Sequence, residues 1–292
     1  MFLGFLGVLA FSFTLPATRV AVEELDPTFI GIGREAVAAV FAAAILLATR
    51  SRLPARPHLV RIGVVALGVV FGWPLFSALA LRGLTSAHSA VVVGLLPAAT
   101  AVAAVLRAGE RPSRGFWVAT LAGLAAVLAF AATQGAGISA GDIEILIAVA
   151  LSAVGYAEGG ALARELGSWR VICWAVVLSA PATFAIGTVA ALTSDLHAGT
   201  DAWLGFAYVG VVSALLGFFP WYAGLARGGV AQIGQIQLLQ PLLTLAWSAL
   251  LLSEPIGAGT IVASIAVLAS VVATQRTRVT RSSRPPLVTS GQ

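Results

Sequence analysis

The sequence predicts an all-α membrane protein, ten transmembrane helices arranged as two inverted five-helix repeats around a central cavity. Three observations carry that expectation. The 292-residue chain is 59% hydrophobic and 10% charged, with a mean hydropathy of +0.97, too few polar residues to coat a water-soluble globule of this size. It divides into ten apolar runs of the length a helix needs to cross the hydrocarbon core, about 17 to 25 residues. It also contains one segment twice: GLLPAATAVAAVLRAGERP (Gly94 to Pro112) returns as QLLQPLLTLAWSALLLSEP (Gln237 to Pro255).

In chain order the runs are Phe2 to Val22, Pro27 to Ala48, Leu59 to Leu81, His88 to Leu106, Gly115 to Thr133, Asp142 to Ala163, Trp169 to Leu192, Ala202 to Ala223, Ala231 to Leu252 and Gly257 to Gln275. The first has no charged n-region and exceeds the length of a signal-peptide core, so it is read as helix one. In both copies of the repeat a mid-run proline is followed 13 residues later by a glutamate, Pro97 to Glu110 and Pro241 to Glu254. Thr100 and Thr244 share an offset, LALRGLTSA (residues 79–87) matches AGLARGGVA (residues 223–231), and AATQ and VATQ end the halves at Gln134 and Gln275. The units are therefore 1–134 and 142–275, with 135–141 as a linker and 276–292 as a disordered basic tail near anionic lipid.

All 17 basic residues are arginine, and 14 of them fall in even-numbered loops or the tail if the N-terminus is inside. Both termini are then cytoplasmic, and Glu23, Glu24, Asp26, Asp142 and Glu144 face out. No basic stripe interleaves with stacking aromatics, so nucleic acid is not an expected partner; the lipid bilayer and a small-molecule substrate are. The single cysteine, Cys173, allows neither an internal disulfide nor a cysteine metal cluster, and no cofactor motif is present. Without lysine there is no P-loop, which excludes an ATP-driven pump of that type. Three histidines without an HExxH pattern offer no catalytic constellation, so no enzyme is expected.

Five helices per unit force the second unit to enter the bilayer upside down, the architecture in which secondary transporters place a substrate site near the midplane between repeats. Pro97 and Pro241 lie mid-helix, and each frees the carbonyl four residues back, at Val93 and Gln237. Either these kinks face a cavity or they only help packing, proline being common in membrane helices.

This pattern of a midplane proline followed by Glu110-Arg111-Pro112 or Glu254-Pro255 resembles the EamA-type branch of the drug/metabolite transporter superfamily, over essentially the whole chain. The resemblance implies a bacterial inner-membrane exporter of amino acids or other metabolites, working by alternating access, with a cavity lined by helices one, three, four, six, eight and nine. Within that branch the chain looks most like aromatic amino acid exporters of the YddG type. It departs from equal halves: Gly94-Leu95-Leu96 stands where the second half has Leu238-Leu239-Gln240.

Helix nine is the polar one. Gln237, Gln240, Thr244, Trp247 and Ser248 fall within about a 100° arc, either facing a cavity or hydrogen-bonding between helices. Ser213, Gly217, Pro220, Trp221 and Gly224 share a face of helix eight, as do Trp73, Phe76, Ser77 and Ala80 of helix three. Trp73, Trp221 and Trp247 with amides and hydroxyls between them suit an amphipathic solute with an aromatic or apolar body. Glu158 is the carboxylate deepest in a run, a proton carrier or ammonium partner, or else a carboxyl snorkelling past Gly155, Gly159 and Gly160. Tyr156, two residues away, points nearly the opposite way. Arg34 and Glu35, about 10 Å into helix two, read as a structural charge network, with a carboxylate binder at Arg34 as the alternative. Oligomeric state is not readable.

Overall fold

A computed structural model of the chain describes residues 2–108, 113–133 and 138–276, with the backbone alone at 108, 228–235 and 275. All regular structure among the described residues is helical. Among the described residues eight helices are long and apolar enough to cross a membrane: α1 Phe2–Val22, α2 Phe29–Ala48, α3 Arg56–Ala80, α4 Ser86–Arg107, α5 Arg114–Thr133, α6 Ala140–Leu166, α7 Ser168–Thr193 and α8 Thr200–Arg227. Two shorter apolar helices follow, α9 Leu239–Leu251 and α10 Ala258–Arg276. Glu110, Arg111, Pro112 and Gln134, singled out as repeat landmarks, lie outside the described residues, as do 135–137 of the linker and the tail beyond Arg276.

Four prolines punctuate this bundle in the same way, whereas Pro181 lies inside α7 without a break. A proline cannot donate to the carbonyl four residues back, and its ring pushes that carbonyl aside. The helical assignment is interrupted at Phe13, Gly94, Gly217 and Leu238, each three residues ahead of a proline: Pro16, Pro97, Pro220 and Pro241. Gly94 and Leu238 are repeat mates, so the two halves bend at matching places. Upstream of Pro74 and Pro220 the backbone widens into π-helical turns, Ala66–Gly72 and Tyr208–Leu216, where the Trp73 and Gly217 N–H groups reach five residues back to Gly68 and Val212. The expected boundary between helices eight and nine shifts accordingly. The helical backbone continues through Gln237, and the break falls at Leu238, set by Pro241 rather than by Gly228-Gly229.

The interior is built on close approaches. Gly68 of α3 faces Leu151 and Gly155 of α6, and Gly7 of α1 faces Trp221 of α8, with no room for a Cβ at either. The apolar stretch of α4 is 72% buried, whereas those of α5 and α7 are 33% buried. The first is central and the others peripheral, showing Val118, Leu121, Phe184, Val189 and Leu192 outward, as a lipid-facing surface requires.

Candidate functional site

Helix α1 supplies the frame of the central region. Because Pro16 leaves the Ser12 carbonyl without its helical donor, that oxygen is free for another helix, and the Thr244 hydroxyl of α9 donates to it at 2.9 Å. The Trp247 indole N–H donates to Ser12 Oγ at 3.0 Å, while its ring stacks on Phe13 at 4.3 Å between centroids. Thr14 Oγ1 and Ser213 Oγ share a hydrogen bond of 2.8 Å, and Ser248 donates to Ser86 Oγ at 2.9 Å. Thr244, Trp247, Ser248 and Ser213 are thus spent on contacts between helices.

Below this polar layer lies a ring cluster drawn from three helices. Phe11 packs on Phe218 at 4.8 Å and on Trp221 at 6.0 Å, and Tyr156 of α6 closes on Trp221 at 5.4 Å and Phe218 at 6.0 Å. Tyr222 joins through Phe218 at 5.3 Å and seats its ring over Gly159, where a Cβ would approach within 2.4 Å. The cluster is closed, yet Trp221 Nε1 and Tyr222 Oη have no hydrogen-bond partner among the described residues. Gln237 Nε2 is equally unpartnered among the described residues. Leaving a buried donor unpaired costs about 1–3 kcal/mol.

Other expected site residues sit apart from these rings. Trp73 and Ser77 are buried and Phe76 half-buried on α3; Ser77 donates back to the Pro74 carbonyl at 3.3 Å, and Trp73 enters no ring pair. Thr100 donates to the Leu96 carbonyl at 2.8 Å within α4, one turn beyond the buried Pro97. Gln240 and Pro241 are buried at the head of α9.

Two sets of charged contacts lie toward opposite ends of the bundle. At the arginine-rich end, Glu158 accepts from Arg61 of α3 and Arg107 of α4, the Arg107 Nη2 bond being 3.2 Å. Arg61 goes on to Glu165 at 2.8 Å. Gly155 and Gly160 pack beside it on Val69 and Leu225. At the acidic end, Glu254 accepts from the Ser86 and Ala87 backbone N–H groups at 2.9 and 2.7 Å, and His88 pairs with Asp142 at 2.7 Å. A cavity of about 360 Å³ beside that pair is lined by Thr85, His88, Phe130 and Asp142 among others. No group of His, Cys, Asp and Glu suited to a metal ion occurs among the described residues.

The resemblance named helix one as lining the cavity, but sequence reasoning singled out none of its residues, although Pro16 with Ser12 and Thr14 around it was the available signal. It also missed Phe11, Phe218 and Tyr222, which carry no motif, and the arginines that hold Glu158, which come from other helices.

A family model, the EamA-like transporter family, matches residues 1–132 and again 139–275. The chain belongs to the EamA-like transporter family. This EamA chain is 47% identical over 274 residues to a Bacillus subtilis (strain 168) protein described as the uncharacterized transporter YdeK, covering 94% of this chain and 96% of that one. A crystal structure shares its fold with a TM-score of 0.63, over 93% of this chain and 94% of the other; at 19% identity that likeness shows the fold alone. EamA membership and the apolar helices make the chain a multi-pass membrane transporter.

Proposed function

We propose that this transporter is a ten-helix carrier of two inverted repeats, 1–134 and 142–275, joined by 135–141. It exports amino acids with aromatic or large apolar side chains by alternating access. The observation that carries this reading is the closed cluster of Phe11, Tyr156, Phe218, Trp221 and Tyr222 with two unpaired donors inside it. Rings supply an apolar surface for a solute body, and orphaned donors next to them supply polar positions that a solute can satisfy.

The arrangement reads as an occluded state. Glu158 with Arg61 and Arg107 shuts the arginine-rich end, and Glu254 on the head of α4 shuts the acidic end. Opening either side separates helices at the proline-set breaks, which already lack helical hydrogen bonds. Trp73, Phe76, Ser77, Thr100, Gln237 and Gln240 line the path that opens. In this reading the protein sits in a bacterial inner membrane with both termini cytoplasmic, and Glu158 is a gate residue engaged by two arginines, not a proton carrier.

Uptake of labelled phenylalanine into liposomes holding the purified protein tests this. Saturable uptake, competed by unlabelled tryptophan and leucine and indifferent to a pH gradient, is expected. Absence of uptake above empty liposomes rejects the amino acid assignment, and uptake driven by the gradient and uncoupled from it in Glu158→Gln rejects the role given to Glu158.

A further inference from the structure

Arg34 and Glu35 form a buried ion pair that joins no two helices. Arg34 is 2% exposed and Glu35 1%, and Arg34 Nε donates to Glu35 Oε1 at 3.0 Å. Both belong to α2 and are neighbours in sequence, so the bond fastens α2 to nothing else. Glu158 by contrast ties α6 to α3 and α4. Burying two charges is costly unless good geometry and further hydrogen bonds offset the lost hydration. Here neither the guanidinium Nη groups nor Glu35 Oε2 has a partner among the described residues, although the side chains could make several more bonds. A structural fastening does not account for the pair.

Its surroundings are closely packed. Gly33, just ahead of the pair, lies against Gly187 of α7, and the Arg34 carbonyl oxygen lies against Gly210 of α8. Two opposite charges side by side, each with bonding capacity to spare, match a zwitterion. A guanidinium fork takes a carboxylate through two parallel N–H groups, and a carboxylate takes an ammonium.

We propose that Arg34 and Glu35 bind the zwitterionic head group of an α-amino acid, carboxylate to Arg34 and ammonium to Glu35. The inference rests on reading the chain as an amino acid carrier. It adds that the carrier requires both charges of the head group. A substrate with only one would leave the other member of the pair buried and uncompensated.

The test uses wild-type protein in liposomes and labelled phenylalanine, with phenethylamine, which lacks the carboxylate, and 3-phenylpropionate, which lacks the ammonium, as competitors. Each analogue is expected to compete at least about tenfold more weakly than unlabelled phenylalanine, one charge-assisted contact being lost. In Arg34→Gln the half-saturation concentration for phenylalanine rises about tenfold or more, and phenethylamine gains on phenylalanine as a competitor. In Glu35→Gln the gain goes to 3-phenylpropionate. Arg34→Lys keeps the charge without the fork and falls between. If wild-type protein takes up phenylalanine but both analogues compete as well as phenylalanine does, the assignment to Arg34 and Glu35 is overturned whether or not the variants fold. Uptake driven by a pH gradient and uncoupled in Glu35→Gln, with unchanged head-group selectivity, also overturns it and makes Glu35 a proton carrier. No uptake of phenylalanine by the wild type instead rejects the amino acid reading on which the inference rests.

Discussion

Replacing Glu254 with alanine should loosen the head of α4 by a calculable amount. The first N–H groups of any helix have no partner within it. In α4 they are met from outside: Ser86 and Ala87 donate to the two Glu254 oxygens at 2.9 and 2.7 Å, and His88 donates to Thr85 Oγ1 at 3.0 Å. A hydrogen bond to a charged partner contributes about 1.5–3 kcal/mol, and the anion also complements the helix dipole by about 0.3–1 kcal/mol. Glu254 is half-buried, so the lower end applies and two such bonds sum to about 3 kcal/mol. Glu254→Gln keeps a neutral acceptor and should lose about half of that. At about 2–4 °C per kcal/mol the midpoint of thermal unfolding in detergent should fall about 6–12 °C in the alanine variant and less in the glutamine one. Hydrogen exchange should speed up over the first turn of α4 and leave α5 unchanged. Both variants melting within a degree of wild type, with no faster exchange at residues 86–88, would refute the reasoning.

Tyr222→Phe removes a buried hydroxyl that has no partner among the described residues, so the melting temperature should hold or rise while phenylalanine uptake falls; a lowered melting temperature counts against an unpaired hydroxyl. Gly159→Val forces a branched side chain onto the Tyr222 ring, where even a Cβ would lie 2.4 Å away. It should destabilise by about 1–3 kcal/mol through overpacking and change the near-UV circular dichroism, which an unchanged spectrum would contradict. Thr244→Val loses the donor to the Ser12 carbonyl and should cost about 1 kcal/mol, with Thr244→Ser restoring it; equal melting of all three proteins would deny the bond a role. Glu158→Gln leaves Arg61 and Arg107 sharing a neutral group, and proteolysis at the arginine-rich end should accelerate, which equal cleavage rates would rule out.

What could be read from the sequence follows from what is local. Apolar length gives the helices, and a proline states its effect three residues upstream, so Pro97 and Pro241 pointed to breaks that occur at Gly94 and Leu238. Pro16 and Pro220 obey the same rule and could have been read the same way. The polar arc of α9 was visible as a 3.6-residue period, but its use was not. Whether Thr244 faces a solute or the Ser12 carbonyl depends on which helix lies opposite, and that is a property of packing. The same limit hid the partners of Glu158, 97 and 51 residues away in sequence, and the aromatic cluster, whose members fall on three helices with nothing between them but shape. Arg34 and Glu35 stood out as charges inside an apolar run. That they fasten nothing could be learned only from what surrounds them.

Counterflow is the measurement that meets the central claim most directly. Liposomes preloaded with unlabelled phenylalanine and diluted into a trace of labelled phenylalanine should accumulate label transiently above its equilibrium level, because a carrier must return a loaded site to each side. The account predicts that overshoot in the wild-type protein and its loss in Trp221→Ala. A monotonic approach to equilibrium that preloading does not alter would mean an open conduit, and would contradict an occluded site between α1, α6 and α8.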